Sequence, residues 1–363
     1  MTEEFEDGRR EPLRILLVGS LPPAQGGTCV SLMHLREALA ARDDVEVRVV
    51  NTSIGGFGTP WRNARRFFRA AWIISMAVWR VEVVTLHVNT ASVHSIGLFC
   101  WLAARISGRP LVLRKFGGTD FLDYGRLRRT LARWAVVNSD LYLAQTKALV
   151  ASALENGIQH VEWYPTNRPM RPADELSAPR SESCGRFVFL GLVGRHKGIL
   201  ELIAAAERFD RSITVDVYGP LVDGISEETF SGLRNVAYRG VLDPHDVPRV
   251  LERYDALVLP TRHMGEGYPG VVVEAYEAGI PVIASRWLSI PEIVDETCGI
   301  LIEPGNTDEL FAAMGRLIED GESYLRLRQG ALAKREEFNL EPLADRFVAS
   351  CRRLARRKAV AGG

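Results

Sequence analysis

The stretch GEGYPGVVVEAYEAGIPVIAS, residues 265–285, decides how the second half of the chain folds. Glu266 stands in a glycine-flanked loop, Pro269 suits the first position of a helix, and Glu274 falls in that helix's opening turns. PVIAS, residues 281–285, then reads as a strand. The free N–H groups of Gly270, Val271 and Val272 would face outward at the positive end of the helix dipole, which makes an anion site. A carboxylate on either side, Glu266 before the helix and Glu274 inside it, could hold sugar hydroxyls. A surface helix with two solvated glutamates would show the same pattern.

Outward from this stretch, the second half alternates short apolar runs with helical segments. RFVFLGLVG (186–194), SITVDVYGP (212–220), NVAYRG (235–240), DALVLP (255–260) and GILIEP (299–304) read as further strands. The first half has the same rhythm in RILLVG (14–19), VEVRVV (45–50), VEVVTLHV (81–88), PLVLRKF (110–116) and DLYLAQ (140–145). Continuous apolar strands separated by helices imply parallel α/β sheets covered on both faces. The stretch 166–185, rich in Pro, Ser and Ala with no apolar period, reads as a linker. At 363 residues the chain has room for two domains. The expected division is two Rossmann-like domains, 1–170 and 171–340, with a basic amphipathic helix over 341–363 packing back on the first.

The pattern around residues 265–285 resembles the nucleotide-sugar site of family-4 retaining glycosyltransferases of the GT-B fold. Their signature has two glutamates separated by seven residues, matched by Glu266 and Glu274. VYGP (217–220), NVAYRG (235–240), DALVLPT (255–261), GIPVIAS (279–285), IPEIV (290–294) and GILIEPGNTDEL (299–310) follow in the family's order. The resemblance implies two domains facing each other across a cleft. It implies that Glu274 holds the donor ribose, while Glu266 and the amides of Gly270 and Val271 hold the transferred sugar. Tyr268 and Pro269 stand where the family often has Phe-Gly, and proline removes one N–H, so a shifted sugar contact is expected.

Two further segments fit a diphosphate. In FLGLVGRHKGILELIAA (189–205) a strand ends in a turn holding Arg195, His196 and Lys197, and Gly198 opens a helix. The chain has only five lysines, so a lysine here fits a need for a compact charge on phosphate. The family pattern agrees at Lys197 but has an arginine where this chain has Leu192, a task Arg195 would take over. In SLPPAQGGTCVSLMHL (20–35), Gly26 and Gly27 precede a helix and let backbone approach a ligand. In family members a similar loop approaches the donor phosphate.

Acceptor-side candidates are His87, Asn89, Lys115, Thr119 and Asp120, at the ends of first-half strands. Asp120 could position the acceptor hydroxyl, although Thr119 or Asp120 could equally cap a helix. Many family members have a histidine where this chain has Phe116, so none is carried over.

Composition excludes other classes. The chain is 47% hydrophobic and 25% charged, with Lys+Arg 45 against Asp+Glu 45, which fits neither disorder nor a general nucleic-acid binder. Residues 1–170 hold 21 Lys+Arg and 15 Asp+Glu, a net of +6, so the remainder carries −6. Five scattered cysteines without a CxxC pair argue against a disulfide frame or zinc site and fit a reducing cytoplasm. The acidic, polar N-terminus is unlike a signal peptide, and no apolar stretch reaches the roughly 18 residues of a membrane span.

One segment points to a surface. In TPWRNARRFFRAAWIISMAVWR (59–80), Arg62, Arg65, Arg66 and Arg69 share a helical arc beside Trp61, Phe68, Trp72 and Trp79, and no acid occurs between Glu46 and Glu82. Such a helix over 61–80 can lie on an anionic bilayer, or its apolar end can simply cover the sheet. The expected protein is a cytoplasmic, metal-independent retaining glycosyltransferase without cofactor, peripheral at the membrane, with a nucleotide-diphosphate sugar as donor. The acceptor would be a saccharide or a lipid-linked one, as in polysaccharide or glycolipid assembly. Alternatives are a sugar-nucleotide epimerase of the same fold and a non-catalytic nucleotide-sugar-binding subunit.

Overall fold

Short runs of Val, Ile, Leu and Phe build two six-stranded sheets. The computed structural model describes residues 11–22, 27–53, 60–89, 93–118, 126–176, 183–210 and 213–362. The first sheet contains β1 (Leu13–Gly19), β2 (Val45–Asn51), β3 (Val83–Asn89), β4 (Leu111–Phe116), β5 (Leu141–Ala144) and β6 (Val161–Trp163). Their order is β2-β1-β3-β4-β5-β6, with β1 parallel to both neighbours. Ile15, Leu16, Leu17 and Val18 of β1 are all fully buried, as a strand covered on both faces requires.

The second sheet contains β7 (Arg186–Leu190), β8 (Thr214–Tyr218), β9 (Val236–Tyr238), β10 (Ala256–Leu259), β11 (Val282–Ser285) and β12 (Gly299–Ile302). It runs β12-β11-β10-β7-β8-β9, every pair parallel. This is the doubly wound Rossmann order, whose direction reverses between β7 and β10. Ligands of such sheets bind beyond the carboxyl ends of the strands at that switch point. In the first sheet the reversal falls between β1 and β3.

The helices of the first half are α1 (Gly27–Ala40), α2 (Pro60–Ala77), α3 (Leu98–Ser107), α4 (Arg126–Val137) and α5 (Lys147–Glu155). Those of the second are α6 (Ile199–Ala206), α7 (Val247–Leu251), α8 (Gly270–Glu277), α9 (Thr307–Glu319), α10 (Gly321–Lys334) and α11 (Leu340–Gly362). Side-chain caps set several starts: Thr146 Oγ1 accepts from Leu149 N at 3.2 Å, and Asn306 Oδ1 from Glu309 N at 3.1 Å.

The chain divides into two compact units. One holds residues 1–115, 124–143 and 344–363, the other 116–123 and 144–343. The sequence-based boundary at 170/171 therefore shifts: residues 144–170 belong with the second unit, where Gln145, Thr166 and Arg168 all hydrogen-bond. In the first unit α11 is tied down by charge. Arg352 donates to Asp44 at 2.6 Å, Arg42 pairs with Asp345, and Lys358 lies 3.3 Å from Asp140. The five cysteines are free and buried, and burial pushes the Cys100 thiol up to about 12. Among the described residues no helix is long and apolar enough to cross a membrane.

Candidate active site

The turn after β7 is shaped by two glycines. Gly194 is extended, Arg195–Lys197 form one 3-10 turn, and Gly198 is left-handed at φ 78°. A Cβ on Gly198 would lie 2.1 Å from the carbonyl oxygen of Pro260, at the end of β10. No other residue allows both the φ value and that approach. The close packing brings the β7 and β10 loops together at the switch point of the sheet.

There Lys197 Nζ forms an ion pair with Glu266 Oε2, their side chains 15% and 9% exposed. Thr261, fully buried, donates its hydroxyl to the same oxygen at 3.0 Å and accepts from His263 N at 3.2 Å. Glu266 N donates to His263 O at 3.1 Å, and Trp287 Nε1 donates to the same carbonyl at 2.9 Å. Glu266 is thus held from three directions rather than solvated. His263 is pushed below its usual range, first by burial and then by the Lys197 charge, so its imidazole is neutral at pH 7.

The helix that follows starts one residue later than its sequence signal. Pro269 is the N-cap with extended backbone (φ −60°, ψ 126°), and Gly270 is the first helical residue. Val272 N donates to Pro269 O at 3.1 Å, so of the three amides expected to face outward this one is engaged inside the first turn. Gly270 and Val271 are the orphan donors. Tyr268 is 2% exposed and donates its hydroxyl to Glu292 at 2.6 Å, while Gln145 and Thr166 donate to its carbonyl at 3.2 and 2.9 Å. The aromatic departure from the family pattern is an anchor for the loop. Gly118 also fixes the loop, since a Cβ there would meet Glu266 O at 2.2 Å.

Glu274 is not free on its helix. Arg168 Nε donates to its Oε1 at 2.6 Å, the two side chains 4% and 13% exposed. Arg168 lies against Gly270 as well, because a Cβ there would meet its Nη2 at 2.0 Å. Sequence reasoning missed Arg168, which fell within the apparent linker, and Thr261. Arg168 carries no local signal, since it and Glu274 are 106 residues apart, whereas Thr261 is only five residues from Glu266.

The other candidates scatter. Arg195 and Leu192 are exposed, and Arg195 forms no ion pair among the described residues. Gly27 is the exposed first residue of α1. Gly26, Thr119 and Asp120 lie outside the described residues. In the first unit His87 and Lys115 are buried, and His87 Nε2 is 3.1 Å from Thr85 Oγ1. Burial, helped by Arg114, holds His87 well below its usual range, the behaviour of a core imidazole. Among the described residues no three His, Cys, Asp or Glu cluster as metal ligands do.

Residues 185–320 match the family model described as glycosyl transferases group 1. This segment contains Lys197, Thr261, Glu266 and Glu274. Residues 185–320 are thus similar to a group 1 glycosyltransferase domain. Among curated proteins, α-maltose-1-phosphate synthase of Mycolicibacterium smegmatis is 27% identical over 225 residues, 56% of each chain. O-antigen chain mannosyltransferase C of Escherichia coli is 25% identical over 166 residues, 45% of each chain. The chain spans about half the length of the curated relatives it matches. Among solved structures, Anabaena HepE in complex with UDP superposes with a TM-score of 0.74 at 17% identity, covering 94% of this chain and all of that one. Sucrose-phosphate synthase from Thermosynechococcus elongatus gives 0.73 at 18%, covering 94% and 99%. The chain thus has the GT-B fold that the family resemblance implied.

Proposed function

We propose that the chain is a family-4 retaining glycosyltransferase, moving a sugar from a nucleotide-diphosphate donor to an acceptor hydroxyl without a metal. The observation that carries this is the Lys197–Glu266 pair beside the first amides of α8, at the switch point of a group 1 domain. In the reading, donor diphosphate takes over Lys197, and sugar hydroxyls take over the Glu266 carboxylate that Thr261 keeps aimed. The ribose hydroxyls fall to Glu274. Arg195, exposed on the same turn, adds charge from solvent.

As the anomeric carbon–phosphate oxygen bond breaks, negative charge grows on the leaving diphosphate. Lys197 and the orphan N–H groups of Gly270 and Val271 stabilise that charge, and such preorganised donors are the largest single term in many enzymes. The acceptor oxygen bonds to the anomeric carbon on the same face, and its proton passes to the departing phosphate oxygen. HepE, crystallised with UDP and with UDP-glucose, supports a nucleotide-sugar donor. Named mannosyltransferases among the relatives support a saccharide acceptor.

The reading extends to a peripheral place at the cytoplasmic face of a membrane, with a lipid-linked acceptor. On α2 Phe68 and Trp72 are 70% and 68% exposed, next to exposed Arg65 and Arg69, and Met76 and Trp79 continue the apolar surface. That is a large aromatic area to leave in water, and arginines beside it suit anionic headgroups.

The test is release of nucleoside diphosphate from UDP-glucose, UDP-galactose, GDP-mannose and ADP-glucose in EDTA, with the first-formed sugar anomer read by NMR. One donor is expected to turn over with retained configuration. Inverted product, or turnover only after metal is restored, contradicts the proposal. An epimerised nucleotide sugar in place of sugar transfer would establish the epimerase reading.

A further inference from the structure

We infer that Arg168 is the positioning residue that presents Glu274 to the donor ribose. The inference rests on the proposed donor site and deepens it, because nothing in the glutamate signature supplies a partner for the second glutamate. Three observations carry it. Arg168 is 4% exposed, and its Nε reaches Glu274 Oε1 at 2.6 Å. Glu274 Oε2 carries no hydrogen bond among the described residues, while the side chain keeps 13% exposure. Arg168 Nη1 is in turn fixed on the carbonyl of Asn167 at 2.8 Å, and its Nη2 is packed over Gly270, where a Cβ would be 2.0 Å away.

A glutamate on a helix has three side-chain torsions to fix before both ribose hydroxyls can be met. Here one oxygen is anchored by a charge-assisted bond to a planar, buried guanidinium, and the other is left to accept. The ordering is completed before the ligand arrives, so less is lost on binding. The guanidinium also supplies the countercharge without which a carboxylate at this depth is costly to bury. Arg168 does not touch the reacting atoms in this scheme. It acts through Glu274, and its signature is discrimination for the ribose hydroxyls.

Binding of UDP, GDP and ADP is therefore measured by calorimetry against their 2′-deoxy and 3′-deoxy analogues, with wild type, Arg168→Gln, Arg168→Lys, Gly270→Ala and Glu274→Gln. For the nucleotide that binds, wild type is expected to prefer the ribo form by roughly tenfold or more, as for a lost hydrogen bond to a charged group. Glu274→Gln should reduce this preference to about two- or threefold. Arg168→Gln should do the same while Glu274 is still present. Arg168→Lys restores charge without the fork, and should return the unliganded unfolding midpoint but not the preference. Gly270→Ala displaces the guanidinium by its methyl group and should weaken the preference with Arg168 intact, so one misfolded variant does not end the test. A full wild-type preference in Arg168→Gln or Arg168→Lys overturns the inference. No preference in wild type overturns instead the assignment of Glu274 to ribose, and the inference falls with it.

Discussion

The strand ends of the two units treat charge in opposite ways. After β7 and β10, Lys197 and Thr261 converge on one carboxylate oxygen of Glu266, whose side chain is 9% exposed. In β3 and β4, His87 and Lys115 are 1% and 0% exposed, and His87 behaves as a core residue. The second unit spends its polar residues on a site, whereas the described part of the first unit buries them and exposes aromatics on α2 instead. In the proposed function, donor chemistry falls to short loops at a switch point, and the acceptor side to the surface of the first unit.

The largest effect that separates the two units belongs to Lys197→Ala. It should lower kcat/KM with the nucleotide sugar by about 10²- to 10³-fold, the usual loss for one electrostatic donor to a developing charge. His87→Gln, its counterpart in the first unit, should act through stability instead. A drop under tenfold for Lys197→Ala in steady-state assays breaks the comparison.

Next comes the glycine that joins the loops. Gly198→Ala should cost about 1–3 kcal/mol in urea unfolding, because φ is 78° and the methyl would meet Pro260 O at 2.1 Å. Gly157→Ala has a similar φ of 79° but nothing within 4 Å of its Cβ, and should cost only about 1 kcal/mol. Equal costs would show that the approach of the β7 loop to β10 is loose.

On the first unit, replacing both Arg65 and Arg69 by Glu should reduce co-sedimentation with anionic vesicles at least tenfold, at about 1 kcal/mol per charge near the surface. Neutral vesicles should show little change. Unchanged binding to anionic vesicles would make α2 a packing helix.

The smallest effect is electrostatic. The Arg42 hydrogen bond, with Arg352 adding to it, lowers Asp44 to about 2 from 3.8. Its folded value is depressed, so its stabilisation is complete above about pH 4 and lost as the pH falls from there toward 2. Asp44 is 41% exposed, and after solvent screening the contribution is under about 1 kcal/mol. An acid-unfolding curve for Asp44→Asn should run parallel to wild type below pH 2 and diverge above it.

Much of the fold is legible in the residues because central strands such as β10 and β11 are continuous apolar runs. VIAS of β11 and ALVL of β10 lie inside the segments read as strands, and all eight residues are buried. β6 escapes because it has only three residues, all half-buried, with no apolar run. The site divides by the same logic. Glu266 and Lys197 stand in local motifs with glycines that announce them. Arg168 acts across the chain and leaves no periodic or compositional mark, so a stretch with the composition of a linker hides a buried guanidinium.

The most direct test is thermal unfolding of wild type and Lys197→Ala in EDTA with millimolar UDP, GDP, ADP, dTDP or CMP. At about 100 times its dissociation constant a ligand stabilises by roughly 2.7 kcal/mol, enough to raise the midpoint by several degrees. The expected result is a shift with one nucleoside diphosphate in wild type that is lost in Lys197→Ala. No shift with any nucleotide, or an undiminished shift in Lys197→Ala, would contradict a donor site built on the Lys197–Glu266 pair.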